Sequence, residues 1–294
     1  MKKHISKILF ISSMAIFGTI AIFVKNIPIP SGEIALYRAI LASILITVFL
    51  LIRKKPIHLR EFKKSVPILL VSGAAMGFNW IFLFEAYNYT SVSTATLSYY
   101  FAPILVTVVS PILFKERLTI KQIICFIMST LGIVLITDLA DLHSESTSLL
   151  GIGLGLTAAV LYATVIVLNK FLKEIDGITR TLLQFLSAIC VLIPYVLLTG
   201  GLNLNLLTPI SIGALITVGL IHTGITYCIY FSTMKDLDGQ SVAILSYIDP
   251  LVAIFVSVFV LGETMSILQI AGAVLILGFT LLNEIPISLP QKNK

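Results

Sequence analysis

The sequence predicts an all-α polytopic membrane protein: ten transmembrane helices arranged as two inverted five-helix repeats. Three observations carry that prediction. Hydrophobic residues make up 57% of the 294 positions and charged residues 12%, with a mean hydropathy of +1.04, whereas a soluble domain carries roughly 25% charged residues. The apolar residues gather into ten runs, most of them close to the roughly 20 residues that cross a hydrocarbon core. Sliding the chain by 147 positions lays Ser98–Gln122 over Leu245–Gln269, matching Tyr100 with Tyr247, Pro103 with Pro250, Glu116 with Glu263 and Gln122 with Gln269. An internal repeat in a hydrophobic chain is the mark of a carrier whose halves rock around a shared site.

The N-terminal Met1-Lys2-Lys3-His4 precedes an apolar run from Ile8 to Val24 with no clear small-x-small cleavage site before its end. It reads as an uncleaved first span, 8–25, rather than a signal peptide. Spans 2 to 5 follow at 33–52, 66–86, 93–113 and 120–137. The second half repeats the series at 150–171, 179–198, 210–231, 241–261 and 266–283. The first repeat is thus 1–137, an extracytoplasmic loop 138–149, the second repeat 150–284 and a cytoplasmic tail 285–294. Because each repeat holds an odd number of spans, the second enters the membrane in the opposite sense.

Charge tests the count independently, since cytoplasmic loops concentrate lysine and arginine. With a cytoplasmic N-terminus, all of the 20 basic residues fall inside except Lys25 and Arg38, the latter within span 2. The loop Asp138–Ser148 carries Asp138, Asp141 and Glu145 and no basic residue. Lys115-Glu116-Arg117 after span 4 and Gly262-Glu263-Thr264 after span 9 share the glutamate, and only the inner one keeps positive charge.

These features exclude several classes. The formal charge of +6 lies in short loops and sets orientation, so no nucleic-acid partner is expected; the partners are the lipid bilayer and a small-molecule solute. Cys125, Cys190 and Cys228 all lie in apolar stretches without metal-ligand or disulfide-framework spacing and read as packing residues. No cofactor or metal is called for, and no phosphate-binding loop is present. An intramembrane enzyme would need clustered catalytic groups, yet Arg38, Glu85, His222 and Asp249 fall one per span. A channel would bring a repeated filter or a charged ring, which is not visible. A monomer is compatible with this reading, which leaves the oligomeric state open.

Asp249 is the sharpest candidate for chemistry. It lies near mid-membrane, directly before Pro250, where an ionisable side chain costs several kcal/mol unless it meets water, a partner or a proton. Its repeat equivalent is Ala102, so the scaffold does not require it. It reads either as a protonatable or cation-binding carboxylate in a cavity, or as one end of an interhelical hydrogen bond. Pro103 and Pro250 each remove a helix hydrogen bond and free carbonyls nearby. Arg38 and Glu85 lie at similar depth in the outer third and are expected to pair as a structural or gating ion pair; recognition of a substrate carboxylate by Arg38 is the alternative. Glu33 reads as interfacial.

Gly77, Asn79 and Trp80 of span 3 align with Gly224, Thr226 and Tyr227 of span 8, so each half offers a glycine, a polar residue and an aromatic at mid-membrane. They read as cavity lining for an amphipathic ligand or as a close helix crossing. Tyr99, Tyr100 and Tyr247 flank the prolines, too deep for an interfacial belt. His222 is a candidate proton relay or a locally bonded histidine. Ser98 and Ser246 read as interhelical glue, and Glu116 and Glu263 as helix-end carboxylates contacting the N-terminus of the following helix.

Ten spans in two inverted fives, with Pro103 followed by Glu116-Arg117-Leu118 and Pro250 followed by Gly262-Glu263-Thr264, resemble the EamA-like exporters of the drug/metabolite transporter superfamily. Phe17-Gly18-Thr19 in span 1 and Tyr162-Ala163-Thr164 in span 6 extend the likeness, as do Arg38-Ala39-x-Leu41-Ala42 and Glu85-Ala86-Tyr87. Where the family often has tryptophan before the small residue, this chain has Phe17 and Tyr162. The resemblance implies alternating access through a central cavity lined by spans 1, 3, 4, 6, 8 and 9, in a bacterial cell membrane. It also implies export of an amino acid, another metabolite or a drug, driven by a proton or solute gradient or by exchange.

Overall fold

The computed structural model of the chain describes residues 2–54, 64–114, 119–136, 146–172, 174–237 and 239–285. Glu116 with its neighbours Lys115 and Arg117, most of the 138–149 loop and nearly all of the C-terminal tail lie outside the described residues. Ten spans are present. Span 1 is Lys2–Gly18 continued by Ile20–Val24, and spans 2 and 3 are Ser31–Ile52 and Val66–Tyr89. Span 4 is split into Val92–Tyr99 and Ala102–Phe114, and span 5 is Ile120–Ile136. Spans 6 and 7 are Ser146–Asn169 and Gly177–Thr199. Span 8 runs through Pro209–Ile216, Thr217–Ile225 and Thr226–Met234; span 9 through Gly239–Ser246, Ile248–Phe255 and Val256–Val260; span 10 is Ile267–Glu284. Eight of these are 18 residues or longer and strongly apolar, and two are shorter. The protein is an integral membrane protein, with aliphatic and aromatic side chains such as Ile210, Phe259 and Ile267 turned outward.

The packing repeats with the sequence. Span 3 lies along spans 6 and 7, and its counterpart, span 8, lies along spans 1 and 2. Span 4 meets span 6 as span 9 meets span 1. Spans 5 and 10 pair with each other: Gly132 abuts Gly272 and Ile276, while Gly272 abuts Ile136, a reciprocal pattern that antiparallel helices give. Ties between distant segments also respect the alternation of ends. Ser6 donates to Asp236 at 2.8 Å at the end where span 1 begins, here the near end. At the far end Lys25 pairs with Glu263, Asn203 donates to Glu33, and Thr90 meets Ser148.

Residues matched in the repeat acquire concrete roles. Gln122 and Gln269 close the first turns of spans 5 and 10, each taking the backbone N–H of the cap residue Thr119 or Ser266, at 2.8 and 3.0 Å, while that residue's hydroxyl takes the glutamine N–H. Spans 4 and 9 break at the tyrosine three residues before each proline, at Tyr100–Phe101 and at Tyr247, where proline withholds a helix hydrogen bond.

One departure from symmetry is conspicuous. Thr217–Ile225 in span 8 and Val256–Val260 in span 9 wind as π-helix. Here the side chains of Thr223 and Thr226 reach back five residues, to the carbonyls of Val218 and Ile221 at 2.7 Å. The matching stretches of spans 3 and 4 are α-helical.

A cavity shared by the two repeats

The halves enclose a cavity of about 470 Å³. It extends from Arg38 and Thr96 in the far half of the bundle to Asn169, Arg180, Met234 and Glu284 at the near end. Spans 1, 3, 6 and 8 face it with helical stripes: Met14, Phe17, Gly18 and Ala21; Met76, Trp80, Leu83, Phe84 and Tyr87; Tyr162, Val165, Ile166 and Asn169; Tyr227, Tyr230, Phe231 and Met234. Each stripe follows the i, i+3, i+4, i+7 spacing of one helix face.

Asp249 lies on the cavity wall, in the first turn after the break in span 9. The hydroxyl of Tyr100, beside the matching break in span 4, donates to its Oδ2. Span 1 crosses directly over this site: a Cβ on Gly18 would stand 2.5 Å from the carbonyl oxygen of Asp249 and 2.7 Å from Val252 Cβ. Only a residue without a side chain admits that approach. The next residue, Thr19, interrupts span 1, its hydroxyl lying 2.8 Å from the Ile16 carbonyl and 3.0 Å from His222 Nε2.

An aromatic wall surrounds the polar groups. Tyr99 lies between Tyr100 and Tyr162, with ring centroids 5.7 and 5.2 Å away. Tyr227 meets Phe17 edge-on at 5.1 Å, and Trp80 meets Phe185 at 5.3 Å. All but the tilted Tyr99–Tyr162 pair meet edge to face, the positive edge of one ring toward the face of the other.

The candidate residues therefore divide. Trp80, Tyr99, Tyr100, Pro103, Tyr227, Tyr247, Asp249 and Arg38 all line the cavity. Asn79 does not: 2% exposed, it donates to the Ala158 carbonyl at 2.6 Å and ties span 3 to span 6. Thr226 is fully buried and bonded within its own helix. His222 is wedged between Thr19 and the ring of Phe23, behind the wall. Pro250 is buried in packing.

Arg38 and Glu85 form no ion pair. Glu85 accepts from Ser31 at 2.6 Å and from Asn88 at 3.4 Å. Arg38 stands seven residues beyond Ser31 in the same helix, about 10 Å deeper along the axis. Glu33, in the first turn of span 2 at the far end, is buried against the loop after span 7, its two oxygens taking the backbone and side-chain N–H groups of Asn203 at 2.9 and 2.5 Å. Glu263 does serve a helix N-terminus, but that of span 4 in the other repeat: its Oε2 takes the Val92 N–H at 2.8 Å and the Ser257 hydroxyl at 2.5 Å. Lys25 holds its other oxygen at 2.6 Å. This cluster lies one turn beyond Thr96, toward the far end. Cys190 is exposed on the outer face rather than packed.

Lining residues that the sequence reading passed over are Arg180, Gln184, Asn169 and Glu284, together with Tyr162 and Tyr230. Arg180 and Glu284 read as span-end charges, which cavity walls and membrane surfaces share. Among the described residues no three of His, Cys, Asp and Glu converge as metal ligands.

The model of the EamA-like transporter family matches residues 4–138 and again 149–284. An uncharacterized transporter of Bacillus subtilis (strain 168), YxxF, is 29% identical over 277 residues, covering 94% of this chain and 88% of its own. An uncharacterized transporter of Archaeoglobus fulgidus is 27% identical, with 92% and 93% covered. A solved crystal structure superposes with a TM-score of 0.62 at 16% identity, covering 95% of this chain and 96% of that one; at that identity the likeness concerns the fold.

Proposed function

The chain belongs to the EamA-like transporter family, and from that premise we propose that it is a secondary active carrier exporting a small organic solute, such as an amino acid, by alternating access. Asp249 is its coupling carboxylate. The near end, to which the cavity extends, is the cytoplasmic side of a bacterial cell membrane, with both termini there, and the Glu263 cluster is the closed outer end. One observation carries the proposal: Asp249 of one repeat and Tyr100 of the other meet on the cavity wall, each beside a helix break.

The chemistry follows from that position. An ionisable group in the membrane interior is held by partners or neutralised, and here the partner belongs to the opposing repeat. A proton or a cationic solute group arriving at Asp249 competes with Tyr100, so occupancy of the site and contact between the halves are linked. A ligand drives such a change only through its different affinity for the two arrangements. The aromatic wall gives dispersion contacts to the body of the solute, and the bilayer is the barrier that sustains the driving gradient.

The test is flux into proteoliposomes under an imposed pH gradient, across a panel of amino acids and other small organic acids and amines. The expected outcome is saturable, gradient-sensitive flux of at least one solute, and its loss in Asp249→Asn with protein yield unchanged. No gradient-sensitive flux of any member rejects the carrier reading, and an unaltered pH dependence in Asp249→Asn removes Asp249 as the coupling group.

A further inference from the structure

Among the described residues Arg38 is a buried charge without a countercharge. It is 4% exposed and lines the cavity, and among the described residues no carboxylate lies within ion-pair distance of it. Its expected partner Glu85 is engaged elsewhere by Ser31. An unpaired charge at this depth is expensive, so an anionic partner arriving in the cavity would be bound favourably here.

The remaining contacts of Arg38 orient it. Its Nε donates to Thr223 Oγ1 at 2.6 Å. Thr223 is fully buried and spends its own proton on the Val218 carbonyl, which leaves its oxygen an acceptor toward Arg38. The guanidinium carbon lies 4.4 Å from the centroid of Trp80 and 5.5 Å from that of Phe84. Rings therefore hold its flat side and a threonine holds Nε. What is left is the fork of two terminal nitrogens, the edge that matches a planar oxyanion bidentately. Asp249 does not fill this role, since it lies on span 9 and takes the hydroxyl of Tyr100.

We infer that Arg38 is the anchor for a carboxylate on the transported solute, making it a specificity-determining residue. The inference rests on the carrier reading and narrows it to solutes with a carboxylate and an apolar or aromatic body, the latter seated among Trp80, Tyr99 and Tyr227. Lysine at this position keeps the charge but loses both the fork and the stacked plane.

The chain supplies its own reporter, because Trp80 is its single tryptophan and touches Arg38. Purified protein is titrated with 3-phenylpropionate and phenylalanine and with their amides, 3-phenylpropionamide and phenylalaninamide, while Trp80 fluorescence is followed. Expected is a saturable change with both acids and at least about tenfold weaker binding of both amides, the loss of one buried charge-assisted contact. Arg38→Lys weakens the acids by a similar factor and leaves the amides unmoved; Glu85→Gln changes neither. Circular dichroism confirms folding, and where Arg38→Gln does not fold, Arg38→Lys and the acid–amide comparison in the unaltered protein carry the test. Equal responses to acid and amide, no response to any of the four, or unweakened acid binding in Arg38→Lys overturns the anchor. Gradient-driven flux that persists with amides as well as acids overturns the anchor alone, whereas absence of all flux rejects the carrier reading beneath it.

Discussion

Spans 3 and 8 hold matching places in the two repeats, and the spacing of their glycines differs. In span 3, Gly73 and Gly77 are four residues apart and face span 7; an added Cβ on Gly73 would stand 2.4 Å from the Gln184 carbonyl oxygen and 3.0 Å from the Ala188 nitrogen, and one on Gly77 3.2 Å from Leu192. In span 8, Gly219 and Gly224 are five apart and face Leu41 and Leu45 of span 2, which are themselves four apart. Span 8 thus carries one extra residue between equivalent contacts, and that stretch is the π-helix. An inserted residue accommodated as a π-turn is characteristic of functional sites. The bulge brings Thr223 against Arg38 and His222 against Thr19, contacts for which α-helical span 3 has no counterpart. The repeat supplies a frame; one residue in excess supplies asymmetry, and the contacts of Arg38 and Thr19 with span 8 arise there.

The most damaging way to break this comparison is to delete Leu220 and give span 8 the spacing of span 3. The Arg38–Thr223 bond is then lost and flux falls by about a hundredfold, the order of effect that an ångström-scale misplacement produces at a reacting centre. Retained helix content by circular dichroism with unchanged flux would show the bulge to be incidental. Next in size, Gly73→Ala drives a Cβ into the backbone of span 7 and costs about 1–3 kcal/mol, read by thermal unfolding in detergent. Gly77→Ala and Gly224→Ala, whose neighbours are leucine side chains at 3.2 and 3.1 Å, cost less and match each other.

The two break tyrosines sharpen the contrast further. Tyr100→Phe removes the donor from Asp249 and is expected to move the pH profile of flux and to cost about 1.5 kcal/mol. Tyr247→Phe, at the matching position, where the hydroxyl makes no hydrogen bond to a carboxylate among the described residues, leaves that profile in place. Smallest is Lys25→Met at the far end, where a part-exposed ion pair contributes about 0–1 kcal/mol. Glu263 keeps its bonds to Val92 and Ser257 in that variant, so unfolding shifts little; a large shift would mean that Lys25 holds the closed end on its own.

Much of the candidate site was legible because it is repeated. Tyr100, Pro103, Tyr247 and Pro250 stood out by alignment with each other, and Asp249 by its failure to align with anything ionisable. Other residues misled for the same reason. Asn79 and Thr226 match at the same offset as Trp80 and Tyr227, yet one ties span 3 to span 6 and the other bonds its own helix. Equal depth suggested that Arg38 and Glu85 pair, but depth read from sequence carries an error of several residues, and one helical turn is enough to separate two side chains. The cap formed by Glu263 on Val92 joins opposite repeats across 171 positions, a distance no local pattern spans.

The sequence by itself determined the ten spans, their alternation and the twofold repeat. A chain in lipid satisfies every backbone group locally, so length and hydrophobicity suffice to mark each helix. Only the tertiary structure decided how each helix is rotated about its axis. Neighbours such as Asn79 and Trp80 point about 100° apart, one into packing and the other into the cavity, and a helix apolar on every side gives no hydrophobic contrast from which that rotation can be read.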